Sequence, residues 1–314
     1  MSDAPLPPPT PTFGSNGSPT KVMGILNVTE DSFSDGGSNP DTATAVRNAK
    51  AMLTAGADII DVGGESTRPG ATRVSPEVEA ARVVPVVREL VQLAQEPSTK
   101  PFFTSIDTMR ASTARVALEA GATFINDVSG GLADPEMLSV CADFDCPVIL
   151  MHWEKDWGSA SVQVGAEGYR DHGVDIVTEV SNWLLARVEE AEKRGVDRKK
   201  IYLDPGIGFA KSPRDNWQLL QGLNRIVDLG FPVLVGASRK RFLTALRPGP
   251  DGNPGTPESA DDATAAVTSL AALAGAWAVR VHNVAPSKAA VDVIHAVRTG
   301  DGPQVAEDWR AKRG

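Results

Sequence analysis

Eight short runs rich in valine and isoleucine recur along this chain, each separated from the next by a helix-length segment. They fall near residues 21–28, 58–64, 102–107, 123–128, 147–152, 201–204, 232–237 and 277–282. The runs are apolar at successive positions, so both faces of the strands they predict must be covered. Parallel strands flanked by helices meet that condition. Eight such units in 314 residues predict an α/β fold, a single (β/α)8 TIM barrel, with an open doubly wound sheet as the alternative.

The residues between the runs agree with this count. Asn39-Pro40, Ser75-Pro76, Asp134-Pro135 and Ser212-Pro213 pair a capping side chain with a proline that loses no intrahelical hydrogen bond at the first helical position. Gly56, Gly121, Gly195, Gly230 and Gly275 precede the next runs, where a left-handed residue ends a helix. Ala43, Val46, Ala49 and Leu53 give the first predicted helix a 3–4 residue apolar spacing. The connections 153–167 and 243–259, the latter with four prolines, exceed what a minimal barrel needs and are expected to be long mobile loops at the carboxyl face of the strands.

Composition narrows the function. The net charge is −9, which argues against a general nucleic-acid or membrane binder. No apolar run is long enough to span a bilayer. Residues 1–20 are rich in Pro, Ser, Thr and Gly without a basic start or apolar core, and are expected to be a disordered leader and not a signal peptide. The barrel is then expected over 21–299, with a tail over 300–314, in a cytoplasmic protein. Cys141 and Cys146, the only cysteines, are expected to be buried reduced thiols.

Polar residues collect where the predicted strands end: Asn27, Glu65 to Arg68, Asp107, Asn126, His152, Asp204, Ser238 to Lys240, Arg280 and His282. Barrel enzymes build their sites at that face, so these scattered positions are expected to converge. Taken singly, each could be a strand end returning to water. Arg280 and His282 are two apart, so both side chains leave one face.

The same segments carry a resemblance. Met23-Gly24-Ile25-Leu26-Asn27-Val28-Thr29, continuing through Asp31-Ser32-Phe33-Ser34-Asp35-Gly36-Gly37, and Asp61-Val62-Gly63-Gly64-Glu65-Ser66-Thr67-Arg68-Pro69-Gly70 resemble the first two signatures of the dihydropteroate synthases of folate biosynthesis. Ser105-Ile106-Asp107-Thr108, Asn126-Asp127-Val128-Ser129-Gly130-Gly131, Asp204-Pro205-Gly206-Ile207-Gly208-Phe209, Gly236-Ala237-Ser238-Arg239-Lys240-Arg241-Phe242 and Arg280-Val281-His282 follow in family order. The resemblance covers about residues 21–299 and has an actinobacterial flavour.

It implies that p-aminobenzoate displaces diphosphate from a hydroxymethyl-dihydropterin. Asp107, Asn126, Met151, Asp204 and Lys240 would then bind the pterin. Asp204 would take two parallel bonds from the ring edge and Asn126 would both donate and accept. Asp107 would stabilise positive charge as diphosphate leaves. Asn27, Thr67, Arg68, Arg280 and His282 would hold the diphosphate, with Asn27 as the direct Mg²⁺ ligand. Phe33, Thr67, Arg68, Pro69, Phe209 and Ser238 would form the p-aminobenzoate pocket, a target for sulfonamides. Asp107, Lys240, Asn27, Arg280 and His282 are the candidate catalytic set. Asp127 and His152 read as structural, and only Lys240 of the basic trio 239–241 as functional. The resemblance also implies a homodimer, with the Ala-rich segments 259–276 and 286–298 as candidate faces.

Other classes remain. A pterin-binding methyltransferase barrel would need neither the diphosphate loops nor the Arg-x-His pair. A non-catalytic pterin-binding paralogue would be expected to lose some motifs, and all are present. A Schiff-base aldolase would want its lysine inside a strand, whereas Lys240 lies just past one.

Overall fold

A computed structural model describes residues 18–29, 38–65, 73–153 and 175–303. Strands and helices alternate: β1 (Lys21–Asn27), α1 (Ser38–Thr54), β2 (Ile59–Gly63), α2 (Pro76–Gln95), β3 (Phe103–Asp107), α3 (Ala111–Glu119), β4 (Phe124–Asp127), α4 (Met137–Asp143) and β5 (Val148–Met151). There follow α5 (Ile176–Lys193), β6 (Ile201–Asp204), α6 (Pro213–Gln221), α7 (Leu223–Val227), β7 (Leu234–Val235), α8 (Arg241–Thr244), α9 (Asp261–Ala274), β8 (Ala278–Val281) and α10 (Val284–Thr299).

All ladders are parallel, in the order β6-β5-β4-β3-β2-β1-β8-β7. A parallel bridge between Leu203 and Val233, with the Leu203 N–H donating to the Pro232 carbonyl at 2.9 Å, joins β6 to β7 and closes the circle. The expected (β/α)8 barrel is therefore the fold. β7 is shorter than the predicted 232–237; at its start, Pro232 has no N–H to give a ladder.

Period-2 alternation divides each doubly buried strand between two environments. In β2, Ile60 and Val62 face the helices, where they join the larger core with Val83, Val86 and Leu90 of α2. Ile59 faces the barrel axis, packed with Met23, Phe124, Ile149, Tyr202, Leu234, Trp277 and Ala278. The rings lock edge-on, Phe124 to Tyr202 at 5.3 Å and Phe103 to Phe124 at 5.8 Å between centroids. This apolar plug seals the amino end of the barrel. The next inward position is polar on the even-numbered strands β2, β4, β6 and β8, at Asp61, Asn126, Asp204 and Arg280, and apolar on β1 and β5, at Ile25 and Met151.

Two of the four predicted cap–proline pairs match, while Asn39 lies inside α1, which starts at Ser38. Ser75 accepts from the Val78 N–H at 3.3 Å ahead of Pro76, and Ser212 forms a reciprocal box with Asp215 ahead of Pro213. The five helix-ending glycines all have φ between 84° and 104°. Asp134 differs: α4 starts later, and one Asp134 oxygen accepts from Ala111 N–H at 2.8 Å, capping α3 from outside. The buried face of α1 also differs, since Ala45 and Ala49 are buried while Ala43 is exposed. Met52 lies on this face, its sulfur 2.9 Å from where a Cβ on Gly24 would stand. The 243–259 connection carries its own structure: an antiparallel bridge between Pro248 and Pro254, then a 3-10 turn over Pro257–Ala260.

Candidate active site

The polar layer above the plug is tied together by one guanidinium. Arg280 donates from Nε to Asp61 Oδ2 and from Nη2 to Asp107 Oδ2, both at 2.6 Å. Asn126 Nδ2 donates to the same Asp61 oxygen at 3.1 Å. Side chains from β2, β3, β4 and β8 thus meet at one point. Two glycines keep the space beside them open. A Cβ on Gly236 would lie 3.6 Å from Asp204 Oδ2 and 3.9 Å from Arg280 Cβ, so these two expected ligands face the same gap. One on Gly63 would lie 3.7 Å from Asn27 Oδ1 and 3.8 Å from Asp107 Oδ2.

Charges in this layer are finely opposed. Burial pushes the Asp107 carboxyl up to about 7 against the pull of Arg280, with Asp61 adding repulsion. Burial likewise raises Asp204 to about 6, opposed by the Gly206 N–H and by Lys240. Lys240 falls to about 8 through burial and the nearby Arg280, while Asp204 and Asp107 pull it back. These are the signs expected when ionisable groups crowd a poorly solvated site.

Lys240 reaches the site along Gly208, where a Cβ would meet its Cδ at 2.7 Å. Its ammonium sits 3.7 Å from the Phe209 ring centroid, a cation–π contact that places both beside the mouth. Phe209 in turn leans on Trp153, near Met151, Met109 and Val128. The expected Met151 floor and Phe209 wall therefore adjoin.

The three basic residues 239–241 take different places. Arg239 takes φ 58° and grips Asp261 through Nε at 2.7 Å and Nη2 at 2.9 Å, anchoring the turn. Arg241 is exposed. Ser238 spends its hydroxyl on His282, bonding Nδ1 at 3.0 Å and accepting from the His282 N–H at 3.2 Å. The same residue is the one expected in the p-aminobenzoate pocket, so the bond to His282 ties that expected wall to the Arg-x-His pair.

Two residues escaped the sequence reading as individuals. Asp61 appeared only inside a motif, although an acid between apolar neighbours on an inward register was a usable signal. Lys211 was not singled out. Its buried ammonium donates to the Gly206 carbonyl at 2.9 Å and the Phe209 carbonyl at 3.1 Å, and meets His152 Nδ1 at 2.9 Å. It thereby holds the loop whose Gly206 N–H donates to Asp204 Oδ1 at 2.7 Å. Gly206 needs its φ of 64°, and a Cβ there would meet the His152 carbonyl oxygen at 1.8 Å.

His152 and Asp127, expected to be structural, both make contacts within the fold. His152 packs edge-on against Trp183, and Asp127 accepts from Ser129 N–H, Ser129 Oγ and Gly131 N–H. Glu65 belongs to a buried network with Arg110 and Glu79 on the helix side, not to the site. Phe33, Thr67, Arg68 and Pro69 lie outside the described residues.

Asn27 offers a hard amide oxygen at the rim. Among the described residues no group of three His, Cys, Asp or Glu side chains could enclose a metal. A cation there would have to bring most of its ligands, which suits a magnesium ion arriving with an anion.

A closed barrel with acids and an amide at mid-depth, cations beside them and a glycine-cleared gap defines an enzyme that grips a flat, polar heterocycle. Comparison with known proteins makes that specific: the chain belongs to the pterin binding enzyme family, which matches residues 23–282. It is 48% identical over 287 residues to the dihydropteroate synthase of Mycobacterium leprae, covering 91% of this chain and 96% of that one. The Xanthomonas albilineans dihydropteroate synthase in complex with 7,8-dihydropteroate superposes with a TM-score of 0.74 at 38% identity, covering 90% of this chain and 95% of that one. The Yersinia pestis enzyme in a sulfonamide drug complex gives 0.78 at 36% identity, covering 91% and 96%.

Proposed function

We propose that this chain is a dihydropteroate synthase, condensing 6-hydroxymethyl-7,8-dihydropterin diphosphate with p-aminobenzoate to give 7,8-dihydropteroate and diphosphate. The observation that carries this reading is the convergence of Asp204, Asn126, Asp107, Lys240 and Arg280 on one gap at the carboxyl ends of the strands. A relative that covers 90% of this chain was solved with the corresponding product.

Each residue then has a task. Asp204 and Asn126 hold the aminopyrimidinone edge, and Met151 forms the floor. Arg280, His282 and Asn27 face the diphosphate. When bound, magnesium carried by Asn27 and the diphosphate would neutralise the leaving group. The amine nitrogen of p-aminobenzoate bonds to the exocyclic methylene carbon as its C–O bond breaks, and the electron pair departs with diphosphate. Positive charge that builds on the pterin is met by Asp107, a preorganised electrostatic contribution. The anilinium formed is a strong acid and loses its proton to water, so no strong base is needed. Lys240, ammonium over Phe209, holds the pterin carbonyl side and borders the p-aminobenzoate. Sulfonamides would compete there.

The protein is also proposed to be a cytoplasmic homodimer. Among the described residues no helix is long and apolar enough to cross a membrane. Leu270 and Leu273 on α9 and Val293 and Val297 on α10 are all more than half exposed, and they supply an apolar face on the two segments expected to pair.

Incubation with the pterin diphosphate, p-aminobenzoate and magnesium should release dihydropteroate and diphosphate in equal amounts. Absence of both products from folded protein would defeat the assignment. Lys240→Ala should remove turnover while the circular dichroism spectrum is retained.

A further inference from the structure

The polar layer contains one carboxylate with no task in the mechanism above. Asp61 is completely buried in the middle of β2. Its Oδ2 accepts from both Arg280 Nε and Asn126 Nδ2. Its Oδ1 has no hydrogen-bond partner among the described residues. A half-satisfied carboxylate in a barrel interior carries a desolvation cost, and what Asp61 gives in return is an acceptor for two buried donors, Arg280 Nε and Asn126 Nδ2. Its role is read through those two partners.

An amide side chain offers a donor end and an acceptor end that differ little in shape. A carboxylate oxygen already holding a guanidinium accepts only, so it selects the amide's nitrogen end. Asn126 must then turn its carbonyl away from Asp61. The same oxygen fixes the guanidinium fork, because Arg280 is pinned at Nε by Asp61 and at Nη2 by Asp107, leaving three of its five N–H donors. One atom thus sets the polarity of the group at the heterocycle end and the angle of the group at the anion end.

We propose that Asp61 is a positioning residue that orients Asn126 for the heterocycle and Arg280 for the leaving group without touching either. This rests on the pterin reading above. Three proteins separate the two ideas: wild type, Asp61→Ala, which removes the acceptor, and Asp61→Asn, whose side-chain oxygen can still take both donors. The probe is 6-hydroxymethylpterin in calorimetry, followed by steady-state kinetics. Asp61→Ala should weaken pterin binding at least tenfold and raise KM for the pterin diphosphate, leaving KM for p-aminobenzoate within threefold. Asp61→Asn should bring pterin affinity back to within threefold of wild type. A purely structural role would move both KM values together and would not be rescued by the amide.

Folded Asp61→Ala that binds the pterin within threefold of wild type overturns the proposal, as does failure of Asp61→Asn to restore affinity. If Asp61→Ala does not fold, Asp61→Ser is held to the same thresholds. Wild-type protein that fails to bind the pterin would strike the functional reading instead.

Discussion

Two layers inside the barrel are built from the same strands, one pleat apart, and they differ in almost every physical respect. The lower layer, with Phe124, Tyr202 and Trp277 at its centre, is apolar and interlocked by ring contacts. The upper layer crowds Asp61, Asp107, Asp204, Lys240 and Arg280 into space from which water is largely withdrawn. Burial stabilises the first, at roughly 25 cal/mol per Å² of apolar surface. In the second, desolvation of the charges offsets much of their attraction. The contrast teaches that the plug supplies rigidity, and that the layer above uses that rigidity to hold charges where an isolated strand could not.

Mutations should separate the layers. Asp204→Ala is expected to have the largest effect: pterin binding disappears in calorimetry, because the ring edge loses its bidentate acceptor. The melting temperature should hold or rise, since a buried carboxyl pushed up to about 6 is removed. Unchanged affinity would refute the site. Phe124→Ala should do the reverse. Deleting a fully buried aromatic side chain typically costs about 3–5 kcal/mol, read in urea unfolding. Pterin affinity should stay within threefold at temperatures where the variant is folded. A large loss of affinity there would show that the layers are not separable. A smaller effect is expected for Arg280→Ala, a roughly tenfold weakening of diphosphate product inhibition in the presence of magnesium. Undiminished inhibition would take strand eight out of the anion site.

The two layers were also unequally legible. Strand count, helix punctuation and barrel closure could be read from apolar runs and glycines, since parallel strands covered on both faces leave an obvious trace. The plug could not, because a run apolar on both faces does not say which residues look inward; Ile59 and Ile60 are alike in sequence and opposite in place. The expected ligands Asp107, Asn126, Asp204, Lys240 and Arg280 were visible as polar residues ending apolar runs. Asp61 was masked by its position inside a run, and Lys211 by a glycine-rich stretch whose folding depends on tertiary contacts with His152. That the Ser238 hydroxyl also meets His282 could not be read from sequence, because it depends on the register between β7 and β8.

The smallest expected difference between the layers is in their titration. Asp107, Asp127 and Asp204 are raised from 3.8 to about 7, 6 and 6, each chiefly by burial. Between about pH 4 and 6 these three groups hold more protons in the folded protein than in the unfolded chain, so their contribution to stability falls as pH rises through that window, whereas buried Lys211, lowered to about 7, contributes with the opposite sign above it. Thermal melts of the ligand-free protein from pH 4.5 to 6.5 should show this decline. Asp204→Asn should flatten it, by removing one of the groups responsible. Phe124→Ala should lower the whole curve without changing its slope, because the plug has no group titrating in that range. Pterin affinity runs the other way, weakening as pH drops below about 6 and Asp204 loses the charge that accepts the ring N–H groups. A slope unchanged in Asp204→Asn, with affinity flat across the same range, would mean that this carboxyl is not the acceptor and that the upper layer's chemistry has been misassigned.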